Sequence, residues 1–128
     1  MEPDTLYQQL NGADGLSKLV TRFYQIMDEL PEAKDIRALH PPDLGESTEK
    51  LFKFLSGFLG GPPLYTTEYG DPRLRARHLP FQIGEQERDQ WLLCMQQALS
   101  ETVSNEALRE ILLNYFRRTA DHMRNKQG

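Results

Sequence analysis

Apolar residues in this chain return every three or four positions in four long stretches, and nowhere do they alternate. That spacing lines one side of a helix and cannot build a half-buried strand. The first stretch predicts a helix capped by Asp14 and reaching Leu30, where Pro31 stops it. Its stripe is Leu16, Leu19, Val20, Phe23, Tyr24, Met27 and Leu30. A shorter segment, Thr5 to Asn11, precedes it across Gly12. The second helix is expected from about Leu44 to Leu59, ending at Gly60-Gly61, with Leu51, Phe54, Leu55 and Phe58 inward. A third begins after Gly84 and reaches about Val103, with Trp91, Leu92, Met95, Ala98, Leu99 and Val103 on its stripe. Glu85 and Glu87 in its first turn suit the positive end of the helix dipole. The fourth runs from Asn105 to about Lys126, lined by Leu108, Ile111, Leu112, Tyr115, Phe116 and Met123.

Between Gly60 and Gly84 the pattern lapses. Gly61-Pro62-Pro63 and Gly70-Asp71-Pro72 are loop punctuation. Asp71-Pro72 also suits the start of a short helix, with Asp as cap and Pro in the first position, and Pro80 ends it. A helical bundle with so little apolar periodicity at its centre has a weak core, unless something other than side chains fills it. The expected fold class is therefore all-α, a single domain over residues 1–128. The chain shows no repeat, linker or low-complexity tract.

Charge and cysteine content exclude several functions. A hydrophobic fraction of 38% with 27% charged residues is a globular balance. A formal net charge of -4 supplies no basic excess for nucleic acid or an anionic membrane. The opening MEPDTLYQQL lacks the basic start and apolar stretch of a signal peptide, so a cytoplasmic location is expected. The lone cysteine, Cys94, rules out an intrachain disulfide and any multi-cysteine metal site, and reads as a small buried side chain.

The richest chemistry lies in the segment Arg73-Leu-Arg-Ala-Arg-His78-Leu-Pro-Phe81-Gln-Ile83. On its residues alone, His78 is either a surface or capping histidine in an Arg-rich turn, or an axial ligand to a haem iron. The second reading requires an imidazole on a short rigid element that a flat macrocycle can lie against. Leu74, Leu79, Phe81 and Ile83 would then pack on one face of the group, and Arg75 and Arg77 would reach its propionates. A CxxCH signature is absent, so such a haem is held without covalent attachment.

Four separated blocks in matching order resemble the second group of truncated haemoglobins. They are Pro72-Arg-Leu-Arg-Ala-Arg-His78-Leu-Pro-Phe81, Glu87-Arg-Asp-Gln-Trp91-Leu-Leu-Cys-Met95, Arg22-Phe-Tyr24, and the Gly60-Gly61-Pro62 turn followed by Tyr65. The resemblance covers almost the whole chain. It implies a truncated globin, a two-over-two helical sandwich around haem b, with His78 as the proximal ligand to the metal.

The same resemblance implies a distal pocket. Tyr24 matches the distal tyrosine that hydrogen-bonds a diatomic ligand. Trp91 matches the tryptophan that marks the second group, and its indole nitrogen only donates. Read as residues, both are also ordinary core aromatics. Ser47 and Leu51 match the helix positions that overhang the iron, so the common distal histidine is missing and Leu51 forms an apolar wall beside Phe54. Lys50, Tyr65 and Arg77 match propionate partners, or are solvated surface side chains. His40 is a departure, because the matching position in many relatives is Tyr or Phe. It reads either as a loop residue before Pro41-Pro42, or as a distal group that bonds Tyr24, the ligand or the iron. The distal reading makes the site sensitive to pH between about 5.5 and 8. His122, among Arg and Asp residues, reads as a surface side chain.

Two functions follow from the resemblance. One is reversible binding, and with it transport, of oxygen, nitric oxide or carbon monoxide. The other is enzymatic turnover of nitric oxide or peroxide. The chain carries no flavin or nicotinamide motif, so turnover needs an external reductase, still unknown, and oxygen binding ranks ahead of a dedicated enzyme. A helical interaction module without cofactor is the third reading, and it predicts a colourless protein.

Overall fold

The computed structural model describes residues 4–73, 76 and 78–125. Its elements are α1 (Leu6–Gln9), α2 (Gly12–Glu29), a 3-10 turn (Pro31–Ala33), α3 (Lys34–Ala38), α4 (Gly45–Phe58), α5 (Leu64–Tyr69), α6 (Glu85–Thr102) and α7 (Glu106–His122). No strand occurs among the described residues. Ala76 and His78 are helical as well.

The caps show why these residues form these helices. The Thr5 hydroxyl accepts from the Gln8 amide, while the Gln8 side chain accepts from the Thr5 amide, closing a capping box on α1. Asn105 caps α7 by accepting from the Leu108 amide. Asp14 is not a cap: α2 begins two residues earlier, and Asp14 lies in its first turn, where its charge still suits the dipole. Asn11, at a φ of 73°, makes the sharp corner between α1 and α2 instead. Pro72 and Arg73, which follow Asp71, are not helical, and the Asp71 carboxylate accepts from the Arg73 amide; where the next helix begins lies outside the described residues. Pro31 ends α2 but starts the 3-10 turn that leads into α3, and α5 arises in a stretch whose apolar spacing does not announce it.

Helix α2 is the centre of the packing. Leu16, Leu19, Val20, Phe23, Tyr24, Ile26 and Met27 are all buried, over an arc of about 160° at 100° per residue. That arc is too wide for one neighbour. Helix α6 packs on one part of it and α4 on another, while α7 packs on α6. The result is two helix pairs, α2 with α4 and α6 with α7. Helix α4 leans on α2 and α5, and makes no comparable contact with α6 or α7. Leu55 and Ser56 of α4 are buried, but Leu51 and Phe54 are only half-buried and Phe58 is 39% exposed. On α7, Leu108, Leu112 and Phe116 are buried, whereas Ile111 and Tyr115 are 44% and 45% exposed. The expected apolar faces of α4 and α7 are thus only partly covered by protein.

Glycine is required where backbones approach. A Cβ on Gly15 would lie 1.6 Å from the Leu10 carbonyl oxygen, and one on Gly61 would lie 2.5 Å from the Tyr7 ring. The first contact is with backbone and cannot be relieved by a rotamer change. Gly15→Ala is therefore expected to lower stability by about 1–3 kcal/mol. The exposed neighbour Ser17→Ala should stay within about 0.5 kcal/mol of the parent. Urea melts of the two variants check this, and equal midpoints would show that the α1–α2 corner can open freely.

Candidate functional site

Tyr24, Phe23, Trp91 and Phe116 form an aromatic row across α2, α6 and α7, with successive ring centroids at 4.9, 5.0 and 5.9 Å. Tyr24 is 7% exposed and Trp91 is half-buried. Burial pushes the Tyr24 phenol well above its usual range, so it keeps its proton and remains a donor. Neither the Tyr24 hydroxyl nor the Trp91 indole N–H donates to a described residue. Both polar atoms stay accessible to solvent although their rings are largely enclosed, so a bound group could take the hydrogen bond that aromatic donors normally make. Here two such donors flank one ring, Phe23.

His40 follows α3 and stands edge-on to Tyr24, with ring centroids 5.7 Å apart. Its Nδ1 lies 2.9 Å from the Ile36 carbonyl oxygen. A carbonyl only accepts, so Nδ1 carries the proton and neutral His40 presents Nε2 as an acceptor. Burial lowers the His40 pKa most, the Ile36 carbonyl opposes this, and the charges of Arg37 and His78 lower it further. On another side His40 borders an open groove of about 410 Å³, with Met27, Leu30, Arg37 and Pro42.

Remote side chains hold this corner. The Gln90 Oε1 accepts from the Asp35 and Ile36 amides at 3.1 and 3.0 Å, capping α3 from α6. Arg37 donates to Asp28 at 2.9 Å and to the Pro41 and Pro42 carbonyls at 2.9 and 2.8 Å.

On α4, Ser47, Leu51, Phe54 and Phe58 follow helical spacing on one face. Phe54 lies 5.4 Å from Phe58 and 6.2 Å from Tyr65, and Phe58 reaches Tyr115 of α7 at 6.3 Å. Tyr65 stacks on Tyr69 at 4.8 Å. Lys50 pairs with Glu46 at 2.9 Å and sits 5.6 Å from the Tyr69 ring centroid. That ion pair is exposed and weak, so it leaves Lys50 able to exchange partners.

His78 is half-buried, and the next two apolar residues, Leu79 and Phe81, are 57% and 42% exposed. Ile83 is buried at 7%, so it belongs to the packed base of this segment and not to an open face. Asn125 ties the segment down. Its Nδ2 donates to the His78 carbonyl at 3.1 Å and to the Phe81 carbonyl at 2.8 Å, while its Oδ1 accepts from the Ile83 amide at 2.9 Å. Leu74, Arg75 and Arg77 lie outside the described residues. Cys94 is fully buried, with its thiol pushed up to about 11, and His122 is exposed, as their sequence contexts suggest.

The apolar faces of α4 and α7 are thus half-covered and meet where Phe58 contacts Tyr115. Near the aromatic row are two donors with no acceptor among the described residues and a neutral imidazole, and a second imidazole sits on a short helical turn. A flat apolar group carrying a small polar ligand fits this donor set, as haem does. Gln90, Arg37 and Asn125 escaped the sequence reading because their partners are backbone groups brought near only by folding. Glu87, which is buried and accepts from the Gly84 amide at 2.8 Å, had a visible signal in its spacing three residues after the helix start.

Comparison with known proteins agrees. The model of the bacterial-like globin family matches residues 5–125. The group 2 truncated hemoglobin YjbI of Bacillus subtilis is 44% identical over 115 residues, covering 90% of this chain and 85% of that protein. The group II 2-on-2 hemoglobin of Agrobacterium tumefaciens superposes with a TM-score of 0.95 at 47% identity, covering 100% of this chain and 98% of its own. A truncated oxygen-avid haemoglobin from Bacillus subtilis superposes at 0.86 with 43% identity, covering 95% and 100%. This chain belongs to the bacterial-like globin family and, within it, to the group 2 truncated haemoglobins, two-on-two helical proteins that carry haem b and bind diatomic ligands.

Proposed function

We propose that this protein holds haem b through His78 and binds oxygen reversibly, with Tyr24 and Trp91 as hydrogen-bond donors to the ligand. The observation that carries this reading is the pair of donors flanking Phe23 with no acceptor among the described residues. A haem bound here would be held by the His78 imidazole and would supply an iron able to take a diatomic ligand. Tyr24 stays protonated through burial, so it can give a hydrogen bond to a ligand that gains negative charge. Leu51 and Phe54 keep water from that bond, and Ser47 leaves room beside them. Lys50 and Tyr65, which gather beside Tyr69, are the cation and the hydroxyl offered to the carboxylate groups of a haem, and Arg77 is a third candidate from sequence. The oxygen avidity of the Bacillus subtilis relative suits this assignment.

Turnover of nitric oxide or peroxide is the second reading. It draws on His40, whose Nε2 can accept a proton beside Tyr24. It requires electrons from an external reductase.

Replacement of His78 by Ala is expected to remove the protein's axial ligand and most haem affinity, while His40→Ala and His122→Ala keep haem. Absorption and resonance Raman spectra decide. An iron–imidazole signature persisting in His78→Ala overturns the assignment.

Tyr24→Phe and Trp91→Phe each delete one donor and keep an aromatic ring. A hydrogen bond to a charged group contributes ~1.5–3 kcal/mol. Oxygen release should accelerate roughly ten- to a hundredfold in either variant, and non-additively in the double variant. Stopped-flow rates within about twofold of the parent in both would leave these residues as core aromatics.

Burial moves the His40 transition to the acid side of its ordinary pKa near ~6.5. The groups facing it are Tyr24, Arg37 and His78. Protonated His40 loses its Nε2 lone pair, so the ferric spectrum should change below about pH 6.5 and not in His40→Phe. Stability follows the same sign. The unfolded chain takes up this proton first, so stability present above about pH 6.5 is lost as pH falls through the lower folded value. The gap in melting temperature between parent and His40→Phe, followed from pH 7.5 to 5, should therefore move against the parent. Parallel curves would show a loop histidine with no distal role.

A further inference from the structure

We propose that Asn125 is a positioning residue for the proximal histidine, acting through the backbone of the segment that carries it; this rests on reading His78 as the axial ligand. The segment from Leu79 to Gly84 lacks regular structure, so its backbone groups need outside partners. Asn125 supplies them from beyond the end of α7. Both Nδ2 hydrogens are used, on the carbonyls of His78 and Phe81 at 3.1 and 2.8 Å. Oδ1 and the main-chain amide bracket Ile83, the former accepting from its amide at 2.9 Å and the latter donating to its carbonyl at 2.8 Å. The amide orientation is unambiguous, because a flip would set Oδ1 against two carbonyl oxygens and Nδ2 against an N–H.

The clamp sits just past the end of α7, which is tied to the start of α6. Met123, two residues earlier, is 8% exposed. Asp121 receives Arg88 of α6 at 2.7 Å, and Arg124 reaches Glu85 at 3.6 Å. The backbone of His78 is thereby referred to the start of α6, whose next turn carries Trp91. A displacement of this segment changes the height and tilt of the imidazole, which an iron–histidine bond reports directly. Gln82 and the exposed Leu79 side chain make no comparable tie.

Asn125→Asp tests the idea, since it keeps the acceptor for the Ile83 amide and loses both donations to the His78 and Phe81 carbonyls. Asn125→Ala removes all three side-chain bonds. Arg88→Ala is the control, loosening the α6–α7 end without touching the segment. In the haem-free protein, amide exchange over residues 78–84 should rise at least about tenfold in both Asn125 variants and not in the control. In the ferrous haem-loaded protein, the iron–histidine stretching band should shift and broaden, and haem should pass to an acceptor globin several-fold faster. Unchanged exchange overturns the clamp. Faster exchange with a band and haem-loss rate like those of Arg88→Ala overturns the positioning role and leaves Asn125 as a stabiliser only. His78→Ala separates the two readings. If the band survives there, the proximal assignment fails. If it is lost there but unmoved in Asn125→Asp, the positioning proposal alone fails.

Discussion

Helix α2 is packed from two sides, by α4 and by α6, and the rest of the molecule follows from that shared seat. Its buried arc is wide enough to hold both neighbours, and its side chains are too well enclosed to let either one slide toward the other. Phe23 is fully buried, and enclosing a phenylalanine of this kind contributes about 1.5–3 kcal/mol. Because α4 and α6 meet α2 separately, they do not collapse on each other. The half-covered aromatic faces of α4 and α7 are the consequence, and an apolar surface of that kind asks for a partner.

The polar chemistry is arranged around this apolar frame in two layers. Tyr24 and Trp91 are donors whose protons are secured by burial and by the chemistry of indole. His40 presents an acceptor and His78 is the proposed ligand, and each is held by its backbone environment: Ile36 fixes the tautomer of His40, and Asn125 grips the carbonyl of His78. The positions of the functional atoms therefore depend on residues that never meet the ligand. Gln90 sets α3, α3 sets Ile36, and Ile36 sets His40. A one-turn change in any of them would leave the pocket's composition intact and spoil its geometry.

Four long helices were legible because burial on one side imposes a period that the sequence cannot hide. Short elements were not. Helix α5 has few apolar residues, and it is held by packing against α4 and by its Lys53–Glu68 tie. Asp14 looked like a cap, but it lies inside the first turn of α2. Ile111, Tyr115 and Phe58 sit on apolar stripes that periodicity alone assigns to a core. They stay well exposed instead, since periodicity tells which side of a helix is apolar and not what covers it. The candidate site was legible only through its likeness to a family, because Tyr24 and Trp91 are by themselves indistinguishable from core aromatics.

The sequence by itself determined the helical class, the stripes, the lone imidazole on a short turn, and the four ordered blocks that place the chain among truncated globins. These are local or nearly local properties, encoded in spacing and in residue type. Tertiary structure alone decided that two donors would flank Phe23 with no acceptor among the described residues, that burial would push His40 toward its neutral form, and that Asn125 would reach back 47 residues to the His78 carbonyl. Those outcomes depend on desolvation and on hydrogen bonds between distant segments. Both arise only when separate helices pack together, and no spacing along the chain encodes them.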